Sequence, residues 1–204
     1  AKDTILYMMS SASLTDEEKI QLLRLARRSI ELAVKGKPLP ALNLEDFSPS
    51  LRAQGASFVT LTKNGELRGC IGTLEPHQPL VQDVCEHAIA AALNDYRFPE
   101  VTPHELDEIE IEISRLTLPQ PVGYNEPEEL IQKIRPFKDG VILRDGNRRA
   151  TFLPQVWEKI PDAEDFLNQL CLKMGAPANL WRKKKLRVEV YQVEEFSESS
   201  LGLR

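Results

Sequence analysis

Asn64-Gly65 stands between two runs of alternating residues, and no other feature so limits how this chain can fold. Both central positions of a type I′ turn need positive φ, which Asn and Gly tolerate best, so the pair predicts a tight β-hairpin. Before the turn, Phe58, Thr60 and Thr62 alternate with Val59 and Leu61; after it, Leu67, Gly69 and Ile71 alternate with Arg68, Cys70 and Gly72. A two-residue turn sets Lys63 opposite Glu66. The same register sets Cys70 opposite Val59 and Arg68 opposite Leu61, with Arg68 and Cys70 on one face.

The elements around the hairpin read as helices and further hairpins. Thr15 with Glu18 three residues on forms a capping box before Ile20, Leu23, Ala26, Ile30 and Ala33, an amphipathic series that Gly36 should stop. Pro79, at the first helical position, opens a second helix with Val81, Val84, Cys85, Ala88 and Ala92 on its apolar arc and Asp83, Glu86 and His87 on the other. From Glu108 to Leu116, glutamates alternate with Ile109, Ile111 and Ile113, the pattern of a strand with one wet face. Helices over Glu126–Ile134 and Asp162–Met174, a hairpin around Asp145-Gly146 and a last strand over Leu186–Val193 complete the reading. Hairpins outnumber βαβ units, so the predicted class is α+β, a mainly antiparallel sheet flanked by helices with a smaller second lobe. The proline-rich stretch Pro119–Pro127 is the expected hinge between lobes.

Composition narrows the partners. Lys and Arg number 26 against 31 Asp and Glu, a net charge of −5 that makes nucleic acid or an anionic membrane a poor partner. Hydrophobic residues at 42% fit a packed core, yet no apolar run approaches membrane-spanning length. Three cysteines, an odd number, and the absence of a signal-peptide layout near Ala1 point to a reducing cytoplasm. His77, His87 and His104 lack metal-ligand spacing to any cysteine, so neither a metal nor another cofactor is expected.

Chemistry concentrates in Leu67-Arg68-Gly69-Cys70-Ile71-Gly72. Glycine weakens a strand, so Gly69 and Gly72 imply a bend or a close approach to the backbone. A guanidinium on the thiol's face would favour thiolate, which makes Cys70 the candidate nucleophile; a small buried hydrophobe is the plainer alternative. Cys85 and Cys171 read as core. Asp95 stands at a helix C-terminus, where the macrodipole disfavours an anion, so it needs a partner, and Arg97 is the nearest. That pair is either a structural tie or an orienting device for substrate or thiol. His77 is the imidazole closest to Cys70 in sequence. The basic run Arg182-Lys183-Lys184-Lys185 has no interleaved aromatics and reads as a solvated edge.

The hexad Leu67–Gly72, the segment Asp95-Tyr96-Arg97-Phe98-Pro99 and Phe152-Leu153-Pro154-Gln155-Val156 together resemble the signature stretches of AMMECR-type domains. The bacterial and archaeal members are called AmmeMemoRadiSam system protein A. Order and spacing agree from about Ile20 to Phe196, nearly the whole chain. The resemblance implies a single α+β domain of two unequal lobes, the larger holding both chain ends. It also implies the company of a Memo-like protein and a radical S-adenosylmethionine protein, and Arg68, Gly69, Cys70 and Gly72 as site candidates, with Asp95 and Arg97 beside them. The expected function is an accessory or binding module that takes a partner or small ligand near Leu67–Gly72. The alternative is a thiol-dependent enzyme using Cys70.

Overall fold

The computed structural model describes residues 12–204. Helix α1 (Asp16–Val34) begins with the predicted capping box: Glu18 N–H donates to Thr15 Oγ1 at 3.1 Å and Thr15 N–H donates to Glu18 Oε2 at 2.8 Å. It ends in a Schellman motif, with Gly36 at φ +65° and Lys37 N–H reaching back to the Leu32 carbonyl at 2.8 Å. A short helix α2 (Pro49–Arg52) leads into strands β1 (Gln54–Lys63) and β2 (Glu66–Gly72), joined by Asn64 and Gly65 at φ 53° and 78°. The type I′ hairpin is therefore present. Next come β3 (Gln78–Pro79), helix α3 (Leu80–Leu93) and β4 (Ile109–Leu116). The remaining elements are β5 (Gln120–Pro121), α4 (Pro127–Lys133), β6 (Gly140–Asp145), β7 (Arg148–Phe152), α5 (Ala163–Lys173), α6 (Leu180–Lys183), β8 (Arg187–Tyr191) and β9 (Val193–Ser197).

The strands form two sheets, one ordered β2-β1-β4-β9 with β3 beside β1, the other β5-β8-β6-β7. The fold is α+β. By compactness the chain divides into a first unit of residues up to Thr117 together with Glu194–Arg204, and a second, Leu118–Val193. In the first, Ile109, Ile111 and Ile113 lie fully buried with Val59 and Leu61, packed with Leu22, Leu23, Ala26 and Ile30 of α1 and Val81, Val84 and Ala88 of α3. The row of isoleucines thus faces inward, as its alternation requires. In the second, Trp157 stacks on Phe166 with ring centroids 3.7 Å apart amid Leu143, Leu167, Leu170 and Trp181. Pro119–Pro127 falls inside this second unit, just after its first residue, Leu118.

Three expectations change. The hairpin register shifts between Leu61 and Thr62: Lys63 does face Glu66, but Leu61 faces Gly69, Thr60 faces Cys70, and Arg68 is the extra, unpaired residue of a β-bulge. Cys70 therefore stands opposite Thr60 rather than Val59. Asp83, placed by helical spacing on the wet arc, is fully buried, because Ser57 Oγ at 2.6 Å, His87 Nδ1 at 3.1 Å and Gln78 Nε2 at 3.2 Å satisfy its carboxylate. The run Leu186–Val193 is not one strand: β8 ends at Tyr191, and β9 then joins β4 in the other sheet. The alternation breaks at the adjacent Val190 and Tyr191, and Gln192 belongs to neither strand, but a break alone does not say which sheet the chain joins next.

Candidate functional site

Strand β2 borders its sheet, and a border strand carries backbone groups that no neighbouring strand pairs. At Cys70 those groups are taken by side chains. Its N–H donates to Asp95 Oδ2 at 2.9 Å, and its carbonyl accepts from Arg97 Nη2 at 3.3 Å. Asp95 lies just past Asn94, the C-cap of α3, and also accepts from Arg97 N, Nε and Nη2 at 3.1, 3.0 and 2.7 Å. Its side chain is 2% exposed against 43% for Arg97. The guanidinium holds the Asp95 carboxyl well below the usual carboxylate range, helped by the two backbone N–H donors and opposed by burial. The pair is a clamp that takes the place of a missing strand.

Arg68, re-aimed by the bulge, turns to the loop after α3 instead of to the thiol. It donates to Glu105 from Nε at 2.9 Å and Nη2 at 3.2 Å, and to the carbonyls of Pro99 at 2.9 Å and Glu100 at 3.3 Å. Arg68, with Thr102 N–H and Lys63, draws Glu105 down to about 2. No hydrogen bond joins Arg68 to Cys70, so the expected guanidinium support for a thiolate does not come from this residue. The bonding partner of the half-buried Cys70 sulfur is the Thr60 hydroxyl, 3.2 Å away.

Gly69 and Gly72 answer to close packing. A β-carbon on Gly69 would lie 2.1 Å from the Ala91 carbonyl oxygen of α3, and one on Gly72 would lie 2.4 Å from both the Phe58 ring and the Ser57 oxygen. The hexad's glycines thus let a helix backbone and a neighbouring strand come near. Between Asp95 and Arg97, Tyr96 is 95% exposed. Arg97 also stands over the Phe98 ring at 5.4 Å.

His77 is exposed, and its Nδ1 meets the Glu75 carbonyl at 3.2 Å, so the structure supplies no Cys70–His77 bond. Cys171 is fully buried as expected; Cys85 is only half-buried, at the rim of the α3 core. The basic run is largely offset by acids, with Arg182 paired to Glu128 and Glu164 and Lys184 to Asp145. Among the described residues no three His, Cys, Asp or Glu side chains converge to hold a metal, and no helix is long and apolar enough to cross a membrane. Sequence reasoning missed Glu105, Thr60 and Tyr96. The Thr102-Pro103-His104-Glu105 capping pattern was a usable signal for Glu105, whose carboxylate takes the Thr102 N–H at 2.8 Å. Nothing local marked Tyr96 as exposed, since an aromatic beside a helix end normally reads as core.

The AMMECR1 family model matches residues 23–196. The chain belongs to the AMMECR1 family. A relative from Thermofilum pendens is 42% identical, the match covering 92% of each chain, and one from Methanothermobacter thermautotrophicus is 40% identical over 93% of this chain and 99% of the relative. The crystal structure of an uncharacterized protein from Pyrococcus horikoshii is similar at a TM-score of 0.70 and 37% identity, covering 90% of this chain and 93% of that one. The clamp, the bulge and the close-packed glycines described above all lie within the matched region of this AMMECR1-family chain.

The three thiols should differ in reactivity. Burial pushes the Cys85 and Cys171 thiols up, while Cys70 is half-exposed on a border strand. Iodoacetamide labelling of the native protein, read by peptide mass spectrometry, should modify Cys70 first and leave Cys171 untouched until unfolding. Equal labelling of Cys70 and Cys171 would contradict the packing at both positions.

Proposed function

We propose that this AMMECR1-family chain is a cytoplasmic binding module whose partner or small ligand engages the surface around Leu67–Gly72 and Asp95–Phe98. One observation carries the reading: Tyr96 stands 95% exposed between two residues whose hydrogen bonds fix the backbone beneath it. An exposed aromatic normally costs ordering entropy when it docks. Here the Asp95–Arg97 clamp has ordered the segment in advance, and Tyr and Arg are the residues that most often dominate binding energy. Leu67, 44% exposed on the bulged strand, adds apolar surface to the hexad. The resemblance to AMMECR-type domains supports a Memo-like protein or a radical S-adenosylmethionine protein as the partner.

Thiol chemistry at Cys70 is the second reading, supported by the half-exposed sulfur. It is the weaker one, because the Thr60 hydroxyl is not a base and Arg68 is held by Glu105.

Titration calorimetry against the two candidate partners tests the module. Tyr96→Ala should leave the melting temperature unchanged and weaken binding by about tenfold or more, as removal of an interface anchor does. Unaltered affinity in both Tyr96→Ala and Leu67→Ala would overturn the assignment of this surface. Turnover of a metabolite that Cys70→Ser abolishes would move the thiol reading ahead.

A further inference from the structure

Helix α1 carries a second constellation that the hexad does not touch. Arg24, Arg27, Arg28 and Glu31 follow the spacing that gathers side chains on one helix face. With Glu198 and Leu203 from the C-terminal segment they line a cavity of about 400 Å³. That volume falls in the range of small-molecule sites, roughly 300–1,000 Å³.

Charge in this cavity is unevenly satisfied. Arg27 turns inward, bonding Glu198 through Nε at 2.9 Å and Nη2 at 2.6 Å and the carbonyls of Leu106 and Ile109 at 2.8 and 2.6 Å. Glu198, whose side chain is 6% exposed, also accepts from Ile111 N–H at 2.9 Å and faces Arg204 Nε at 3.4 Å. That acid is saturated and holds Arg27 in place. Arg24 and Arg28 are exposed and, among the described residues, make no ion pair or hydrogen bond; Glu31 lines the cavity without pairing to either. Like charges four residues apart disfavour a helix, so Arg24 and Arg28, which have no partner among the described residues, repel each other along this face.

We propose that this cavity binds a small phosphate monoester. Arg24 and Arg28 would grip the dianion, the fixed Arg27–Glu198 pair would form its floor, and Leu203 would offer an apolar wall to the organic part. With Arg27 and Glu198 neutralising each other, Arg24 and Arg28 outweigh the single Glu31 carboxylate, and guanidinium forms paired hydrogen bonds to phosphate oxygens. The excess of cation over acid is local, against a chain whose net charge is −5.

Phenyl phosphate is a suitable probe, titrated into the full chain at ionic strength matched with sodium chloride and followed by calorimetry and by the arginine Nε–H resonances. The Arg24 and Arg28 resonances should shift. Arg24→Ala/Arg28→Ala should weaken binding by about tenfold or more, the loss expected when charge-assisted hydrogen bonds go, with an unchanged melting temperature in the absence of ligand. The proposal is overturned by a response no larger than that of chloride, or by undiminished binding in the double variant. Loss of binding only in Lys183→Ala/Lys185→Ala would overturn it equally, by assigning the phosphate to the basic run.

Discussion

Gly69→Ala is expected to destabilise the first unit by about 3 kcal/mol and to lower its unfolding midpoint by roughly 10 °C, an overpacking cost at the upper part of the usual range. The added carbon would lie 2.1 Å from the Ala91 carbonyl oxygen, which belongs to a helix backbone and cannot rotate away as a side chain could. Relief requires β2 to lift from α3 or α3 to shift. Either movement disturbs the contacts of Val59 and Leu61 with Val84 and Ala88 in one buried cluster. Gly123→Ala is the control, since no atom lies within 4 Å of a β-carbon there and φ is not positive; its effect should be close to zero. Urea and thermal unfolding followed by circular dichroism compare the two. Equal stability would mean that α3 does not press on the hexad.

Asp95→Ala should cost about 3 kcal/mol, because it orphans the Cys70 N–H at a sheet border and removes the acid that a guanidinium satisfies inside the fold. Asp95→Asn keeps an acceptor and should cost less. Arg97→Ala added to Asp95→Ala should do little more harm than Asp95→Ala alone, since the two residues serve one clamp; full additivity would show that each serves a different partner. Acid should act in the same direction as the substitution. The folded-state pKa of Asp95 is depressed, so its contribution is complete above the unfolded carboxylate value of ~4 and is lost as pH falls through the folded value. Glu105, drawn down to about 2, follows the same rule. Urea midpoints measured from pH 6 downward should therefore fall below about pH 4, and Asp95→Asn should flatten that fall. An acid-induced fall equally steep in Asp95→Asn and in the unaltered chain would contradict the clamp. Without it, the bare border of β2 should also favour strand-to-strand association, visible as aggregation of Asp95→Ala on concentration.

The sequence by itself determined those features that rest on interactions a few residues long. The Thr15 and Glu18 box, the stop at Gly36, the Asn64-Gly65 turn and the inward row Ile109, Ile111 and Ile113 were legible because capping, positive φ and the period of two are local. The partnership of Asp95 with Arg97 was legible too, from an anion placed where the helix field opposes it. Only the tertiary structure decided what these pieces meet. A bulge at Arg68 moved Cys70 from Val59 to Thr60 and sent the guanidinium to Glu105, because the hexad packs on the backbone of α3, a contact across the chain that no local period encodes. Asp83 left the wet arc because Ser57, His87 and Gln78 converge on it from three elements, and the break in alternation at Val190 and Tyr191 does not say that β9 joins β4. The exposure of Tyr96 and that of Arg24 and Arg28, which have no partner among the described residues, belong to the same class. Whether an aromatic or a guanidinium finds a partner depends on which segments fold beside it, and spacing along one element is silent on that.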